Sequence, residues 1–193
     1  MLRIATFLSI FLLSVADIGA QHTSVSTGSL DWPSWGGPNG DFTVNDAGVL
    51  RLDRRYALQV VWKKQLGTGY SAIAVRNGLA VTMFSDNTHD YVIGLDAKDG
   101  SERWKYKIGP TYLGHYGSQN GPISTPLLTD RMVIALSPRG SLFALDVDTG
   151  QKLWVVGLVV DHQAVAPFLG FTSSPVMHNN LLLVRRGGSL VEQ

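Results

Sequence analysis

The side chains that could do chemistry are concentrated in two stretches of this 193-residue chain, GPTYLGHYGSQNGPI (109–123) and VVDHQAVAPFLGFT (159–172). The first stretch contains Tyr112, His115 and Tyr116. His115 beside Tyr116 could act as a general base or stack on a ligand, or the two rings could simply fill a surface. We treat these three residues as candidate ligand-binding residues and assign no catalytic residue.

The second stretch contains an acid beside an imidazole, Asp161 and His162, which are two further candidates for ligand binding. The pair could form part of a metal site, but neighbouring side chains of an extended strand point to opposite faces. No third ligand is evident, and a protein metal site needs at least three. We therefore predict no metal site.

The composition excludes several other functional classes. The chain has no Cys, which excludes disulfides, thiolate metal ligands and a thiol nucleophile. Its 16 basic residues nearly balance its 15 acidic ones, so nothing favours binding to nucleic acid or to an anionic membrane surface. No Ser-His-Asp spacing, glycine-rich phosphate loop or zinc pattern stands out.

The N-terminus predicts export from the cytoplasm. MLRIATFLSIFLLSVA has one cation, Arg3, then a short apolar run and small residues before two possible cleavage sites, Ala16 and Ala20. We predict that residues 1–20 are a secretory signal peptide and that residues 21–59 form an N-terminal segment. The apolar run is too short to span a bilayer comfortably, so no integral membrane segment is expected after cleavage.

One sequence motif occurs twice, and it indicates which elements position these candidates. LDAKDGSERW (95–104) returns as LDVDTGQKLW (145–154), with an offset of 50 residues. The matching residues are Asp96 and Asp146, Gly100 and Gly150, and Trp104 and Trp154. The two Asp residues could be catalytic or metal ligands, but their recurrence before a Gly favours a structural role in a turn, with each Trp docked between repeats.

A period near 50 residues with short apolar runs predicts an all-β fold, a β-propeller of four-stranded antiparallel blades. The expected elements are an orphan outer strand (60–66), two whole blades (71–108 and 124–158) and a partial third blade (173–193). In the fourth strand of the first blade, Arg103, Lys105 and Lys107 should face away from the blade seam. The two stretches described above connect successive blades and should lie on one rim of the propeller.

The repeated docking motif resembles that of the pyrroloquinoline-quinone-like (PQQ-like) β-propeller repeat family. DWPSWGGPNGDF (31–42) and the openings S-T-P (124–126) and S-S-P (173–175) are similar to that family as well. The resemblance implies a ring of seven or eight blades, roughly 350–400 residues at this period. The chain is therefore expected to be a fragment of a longer propeller, from the periplasm or the exterior of a bacterial cell.

The resemblance implies two alternative functions. One is a secreted, non-catalytic binding or scaffold module whose partner is another protein or the remaining blades of a longer chain. The other is a fragment of a quinoprotein dehydrogenase, which would use PQQ and Ca²⁺. We expect the first and no cofactor for this chain, because the alternative would draw its ligands from several blades, most of which are absent.

Overall fold

The computed structural model describes residues 10–14, 31–44 and 59–185. Regular structure in these residues is entirely β, and none of them lies in a helix that could cross a membrane. The strands are β1 (Ile10–Ser14), β2 (Ala74–Arg76), β3 (Leu79–Ser85), β4 (His89–Asp96), β5 (Glu102–Pro110), β6 (Leu127–Leu128), β7 (Met132–Leu136), β8 (Ser141–Asp146), β9 (Lys152–Gly157), β10 (Val176–His178) and β11 (Leu181–Arg185).

Two four-stranded antiparallel sheets confirm the predicted blades. Blade one has the order β2-β3-β4-β5, and blade two has the order β6-β7-β8-β9. Asn77 and Gly78 join β2 to β3 with φ of 49° and 73°, as a tight hairpin requires. A register shift interrupts the last strand pair of each blade at the same repeat position, between Gly94 and Leu95 and between Ala144 and Leu145. This irregularity is therefore repeated, whereas a second shift in blade one, between Asp90 and Tyr91, has no counterpart in blade two.

The seam between the two blades is the main apolar core. Met83, Val92 and Trp104 of blade one pack with Phe143 and Leu145 of blade two. The alternate side chains of β5 point away from this seam. They are those of Arg103, Lys105 and Lys107, and all three are exposed, as predicted. Each blade thus buries one apolar face against its neighbour, which is why a single blade could not be stable alone.

The tryptophan of one blade docks on a turn of the next. Trp104 is 7% exposed, and its Nε1 donates to the Val147 carbonyl at 3.0 Å. Its ring lies on Gly150, where a Cβ atom would come within 2.6 Å of the indole and where φ is +68°. Only glycine meets both conditions without strain. Trp154 is half-buried and packs at the edge of the core between blades two and three.

The two repeated aspartates stabilise the turns that receive the tryptophans. Asp96 accepts a hydrogen bond from the Lys98 amide at 2.9 Å and pairs with Arg103 at 2.6 Å. Asp146 accepts hydrogen bonds from the Thr149 amide at 2.9 Å and the Thr149 hydroxyl at 2.8 Å. Each carboxylate is thus engaged within its own blade.

The residues before blade one extend the docking pattern without forming a strand. Residues 60–66, predicted as an orphan outer strand, pair with no strand in the described part of the chain. Trp62 nevertheless donates from Nε1 to the Ala97 carbonyl at 3.0 Å and lies against Gly100. This contact repeats that of Trp104 one blade earlier. The first paired residue of blade one is Ala74, three positions after the predicted start at Ser71.

The third blade is represented by β10 and β11, which pair as a hairpin. Residues 186–193, where the sequence predicts the rest of this blade, lie outside the described residues. The other edge of β11 pairs with β1, with Phe11 opposite Val184. Strand β1 lies within the predicted signal peptide, and removal of that peptide stays a prediction.

A short part of the N-terminal segment covers the innermost strands. Trp32 exchanges two backbone hydrogen bonds of 2.8 Å with Val75 of blade one, and the Pro33 carbonyl accepts one of 2.8 Å from the Leu128 amide of blade two. These bonds tie the two blades together on the side where a propeller has its central channel.

Candidate functional site

Four loops meet at one end of the blades and form a surface that we call the connector rim. They are connector one (111–126, from β5 to β6), connector two (158–175, from β9 to β10) and the short β3–β4 and β7–β8 loops. Antiparallel order places all four at the same end of the sheets. Long loops on a rigid scaffold are the usual location of binding sites.

Connector one is held in shape by hydrogen bonds within the loop and by others to neighbouring strands and loops. The Gly121 amide donates to the Tyr112 carbonyl at 2.8 Å, and the Gly114 amide donates to the Asn120 side chain at 2.9 Å. At Gly114 a Cβ atom would come within 2.4 Å of the Ser118 carbonyl oxygen, so the loop closes tightly on itself. Tyr116 has a φ of 51° at the tip. The loop therefore presents its outer side chains from a defined backbone.

Connector two packs down onto blade two and against connector one. Phe171 is 2% exposed, lies on Gly140, and donates its amide to the Pro138 carbonyl at 2.9 Å. At Gly170 a Cβ atom would come within 2.9 Å of the Tyr112 hydroxyl. The tyrosine ring of connector one thus rests on the backbone of connector two, so the two loops are positioned together.

Four rings bridge the connectors, and we call them the rim aromatic cluster: Tyr112, His115, Tyr116 and Phe168. The His115 ring centroid lies 5.9 Å from that of Tyr112 and 4.9 Å from that of Phe168, and Phe168 lies 5.6 Å from Tyr116. Tyr116 is 93% exposed and Phe168 is 64% exposed. The cluster brings together three of the five sequence candidates and adds Phe168, which sequence reasoning missed.

The other two candidates, Asp161 and His162, lie at the start of connector two, just after β9. Asp161 is exposed, and its Oδ2 accepts a hydrogen bond from the Gly157 amide at 2.6 Å, while its own amide donates to the Gly157 carbonyl at 2.7 Å. The carboxylate therefore closes the turn that follows β9. His162 beside it is half-buried. Within the described ranges, no three His, Asp or Glu side chains are grouped so that they could hold a metal ion.

Two charged residues that the sequence did not single out position connector one. Asp90 of blade one accepts a hydrogen bond at Oδ2 from the Tyr112 amide at 3.0 Å. Arg139 of blade two donates from Nη2 to the Thr111 carbonyl at 3.0 Å, and its guanidinium lies 5.7 Å from the Tyr112 ring centroid. The Thr111 carbonyl and the Tyr112 amide belong to one peptide group, so the two blades hold that group from both sides.

Asp90 is a buried carboxylate, whereas Asp86 and Asp161 on the same rim are exposed. Asp90 is 3% exposed, and burial raises its pKa above the ordinary value of 3.8 despite the Tyr112 hydrogen bond. The pKa of Asp86, which precedes β4 in the adjoining loop, is shifted in the opposite direction. That carboxylate is exposed, and hydrogen bonds from the His89 and Thr88 amides lower its pKa to about 2.

Comparison with known proteins identifies a protein family whose model matches this chain. A family model described as outer membrane protein assembly factor BamB matches residues 45–192. The structure is similar to that of BamB from Moraxella catarrhalis, with 18% identity over 67% of this chain and 38% of that one, and a TM-score of 0.39.

Two dehydrogenase structures are also similar. Quinohemoprotein alcohol dehydrogenase ADHIIG from Pseudomonas putida HK5 has 22% identity over 63% of this chain and 17% of that one, with a TM-score of 0.45. The quinohemoprotein alcohol dehydrogenase from Comamonas testosteroni has 19% identity over 58% and 16%, with a TM-score of 0.47. The chain thus spans 38% or less of each of these three proteins. No curated protein matches it significantly.

Proposed function

This chain belongs to the PQQ-like β-propeller repeat family, and on that premise we propose that it is a secreted, non-catalytic binding or scaffold module of a bacterial cell. The rim aromatic cluster is its recognition surface, and its partner is a protein. The apolar N-terminus and the family description, an outer membrane assembly factor, support a location in the periplasm or outside the cell.

The observation that carries this proposal is the exposure of large rings on a well-positioned loop pair. Aromatic side chains dominate the energetic centres of protein interfaces because they bury a large area with few rotatable bonds. Tyr116 and Phe168 are mostly exposed, and Leu113 and Leu169 on the same two connectors are 65% and 52% exposed. Large apolar side chains exposed on neighbouring loops in this way are typical of a docking surface.

The experiment places a photo-crosslinking amino acid at Tyr116 in the exported protein and isolates the crosslinked partner from the periplasmic fraction. The affinity of the purified partner is then measured for the unmodified chain and for Phe168→Ala. We expect at least a tenfold loss, as for an interface hot spot. The matched control is Phe42→Ala, which removes another exposed phenylalanine, 56% exposed, from the N-terminal segment.

Two results would contradict the proposal. One is equal affinity of the Phe168→Ala variant and the unmodified chain for every partner that crosslinks at Tyr116. The other is catalysis: the chain would be titrated with PQQ and Ca²⁺ and then given a primary alcohol and an artificial electron acceptor. Saturable quinone binding with turnover would favour the dehydrogenase alternative.

A further inference from the structure

Three asparagines of this chain are directly followed by glycine, and they are Asn39, Asn77 and Asn120. An asparagine in this context can cyclise, because the backbone nitrogen of the glycine can attack the side-chain carbon Cγ. Glycine permits the attack because it has no Cβ atom to obstruct it. The reaction also requires that the attacking nitrogen and the side chain can reach each other. The fold therefore decides at which of the three positions the reaction can occur.

The turn between β2 and β3 leaves both reacting groups of Asn77 and Gly78 unhindered. Both residues are exposed, and within the part of the chain that the structure describes no group bonds to the Asn77 side chain or to the Gly78 amide. Outside the turn itself, the nearest heavy atom to a Cβ built on Gly78 is Arg103 Nη2, at 3.9 Å. The Asn77 amide donates to Asp31 Oδ1 at 3.1 Å, and the Gly78 carbonyl accepts from the Ala97 amide at 2.9 Å. Neither bond restrains the peptide group that joins Asn77 to Gly78.

The fold blocks the same reaction at Asn120 in connector one. The Gly121 amide, which would supply the attacking nitrogen, donates to the Tyr112 carbonyl at 2.8 Å. The Asn120 side chain is held as well, since its Oδ1 accepts from the Gly114 amide at 2.9 Å. A Cβ built on Gly121 would lie 2.6 Å from the Thr68 carbonyl oxygen, so the surroundings are crowded too. Both reacting groups would have to break a hydrogen bond before they could meet.

Asn39 in the N-terminal segment is an intermediate case. Its Nδ2 donates to the Thr43 carbonyl at 3.2 Å, and the Gly40 amide donates to the Gly37 carbonyl at 3.4 Å. Both reacting groups are thus bonded, but at the long end of hydrogen-bond distances. The structure therefore ranks the three positions, with Asn77 the most reactive and Asn120 the least.

We propose that Asn77 is a site of spontaneous modification, at which the side-chain amide is converted to the carboxylate of aspartate or isoaspartate. The Gly78 nitrogen forms a bond to Cγ of Asn77, the bond from Cγ to the side-chain nitrogen breaks, and that nitrogen leaves as ammonia with the proton of the Gly78 amide. Water then opens the resulting succinimide ring at one of its two carbonyl carbons. Opening at Cγ gives aspartate, and opening at the main-chain carbonyl gives isoaspartate, whose main chain runs through Cβ and Cγ. The sequence of steps exchanges ammonia for water and needs no oxidant or reductant.

The modification loosens the contact between the N-terminal segment and blade one. The Asn77 amide donates to Asp31, and the next residue, Trp32, exchanges two hydrogen bonds with Val75. A carboxylate at position 77 adds a negative charge close to that of Asp31, and isoaspartate adds a main-chain methylene to a two-residue turn that has no room for it. The turn lies at the end of blade one opposite the connector rim. The inference therefore goes beyond the proposed function and does not depend on it.

The test incubates the purified chain at mildly alkaline pH and follows each asparagine by mass spectrometry of tryptic peptides, since trypsin separates the three positions. We expect Asn77 to gain the mass of an OH group in place of NH₂ at least fivefold faster than Asn120, with Asn39 between them. The control is the same incubation in concentrated urea, where the three rates should converge because each position has the same Asn-Gly pair. Equal rates at Asn77 and Asn120 in the folded chain would overturn the inference. The same ranking in urea would also overturn it, because the fold would then not be its cause.

A variant and a hydrogen-exchange measurement complete the test. Asn77→Gly keeps a turn sequence that suits a two-residue hairpin, so it should abolish the modification of this peptide and leave the other two rates unchanged. The modified chain, separated by its added charge, should exchange the Trp32 and Val75 amides at least fivefold faster than the unmodified chain. Thr68 and Ser85, which exchange two hydrogen bonds at the other end of the blade, are the matched control and should not change. Unchanged exchange at Trp32 and Val75 would overturn the link to the N-terminal segment.

Discussion

Replacing Trp104 with Ala tests whether the docking of a tryptophan on the next blade holds this fold together. The indole is 7% exposed and also donates a 3.0 Å hydrogen bond to the Val147 carbonyl. A buried tryptophan removes roughly 200 Å² from water, which at about 25 cal/mol per Å² corresponds to about 5 kcal/mol. That value is an upper bound, because the unfolded chain already buries part of this area. We therefore expect Trp104→Ala to lower the free energy of unfolding by about 3–5 kcal/mol.

The chain contains its own control for this substitution. Trp154 occupies the same repeat position, but it is only half-buried, and no described residue supplies a turn on which it docks. We expect Trp154→Ala to cost no more than half as much as Trp104→Ala, since less area is lost and no docking contact with a described residue is lost. Both substitutions remove the same atoms, so their difference reports the additional buried area and the docking contact of Trp104.

Urea unfolding, followed by far-UV circular dichroism, measures both variants against the unmodified chain. The midpoints should fall in the order unmodified, Trp154→Ala, Trp104→Ala, with similar slopes. Equal losses for the two variants would show that docking on the following turn is not what stabilises Trp104. A loss below about 1 kcal/mol for Trp104→Ala would refute the assignment of this seam as the main core.

Two further predictions concern the turn and the rim loop. Gly150→Ala places a Cβ atom within 2.6 Å of the Trp104 ring at a φ of +68°, so it should destabilise the chain by about 1–3 kcal/mol; a denaturation midpoint equal to that of the unmodified chain would contradict it. Asp86 has its pKa lowered from 3.8 to about 2 by backbone amides, so its stabilisation is present above pH 3.8 and is lost as the pH falls toward 2. Acid unfolding of Asp86→Asn should therefore be flatter over this window, and parallel curves for variant and parent would disprove the assignment.

The sequence by itself determined the repeat and the local chemistry that produces it. The positions of Trp104 and Gly150 recur with the blade period, and a large ring followed one repeat later by a glycine turn is visible without coordinates. The alternation of cations with apolar residues in β5 likewise predicted which side faces the seam. These features could be predicted because each depends on neighbours within one strand or turn, where the period of the chain dictates direction.

The candidate site was only partly predictable. Tyr112, His115 and Tyr116 were found because they lie on a long connector, and long connectors can be recognised from repeat spacing. Phe168 was missed because an apolar ring in a loop has no signature until its neighbours are known; its contact with His115, with centroids 4.9 Å apart, joins two different connectors. Asp161 was a candidate by residue type, and only the structure shows its carboxylate bound to the Gly157 amide.

Only the tertiary structure brought Asp90 and Arg139 together. The repeat offset pairs Asp90 with Gly140 and Arg139 with His89, so neither charge recurs in the other blade. Asp90 and Arg139 are 49 positions apart in the sequence, and they lie close together because packing at the seam places β4 of one blade beside the β7–β8 loop of the next. The physical reason is that a peptide group can be held from both sides only by residues that approach it from two blades, and packing between blades, not the local sequence pattern, sets that approach.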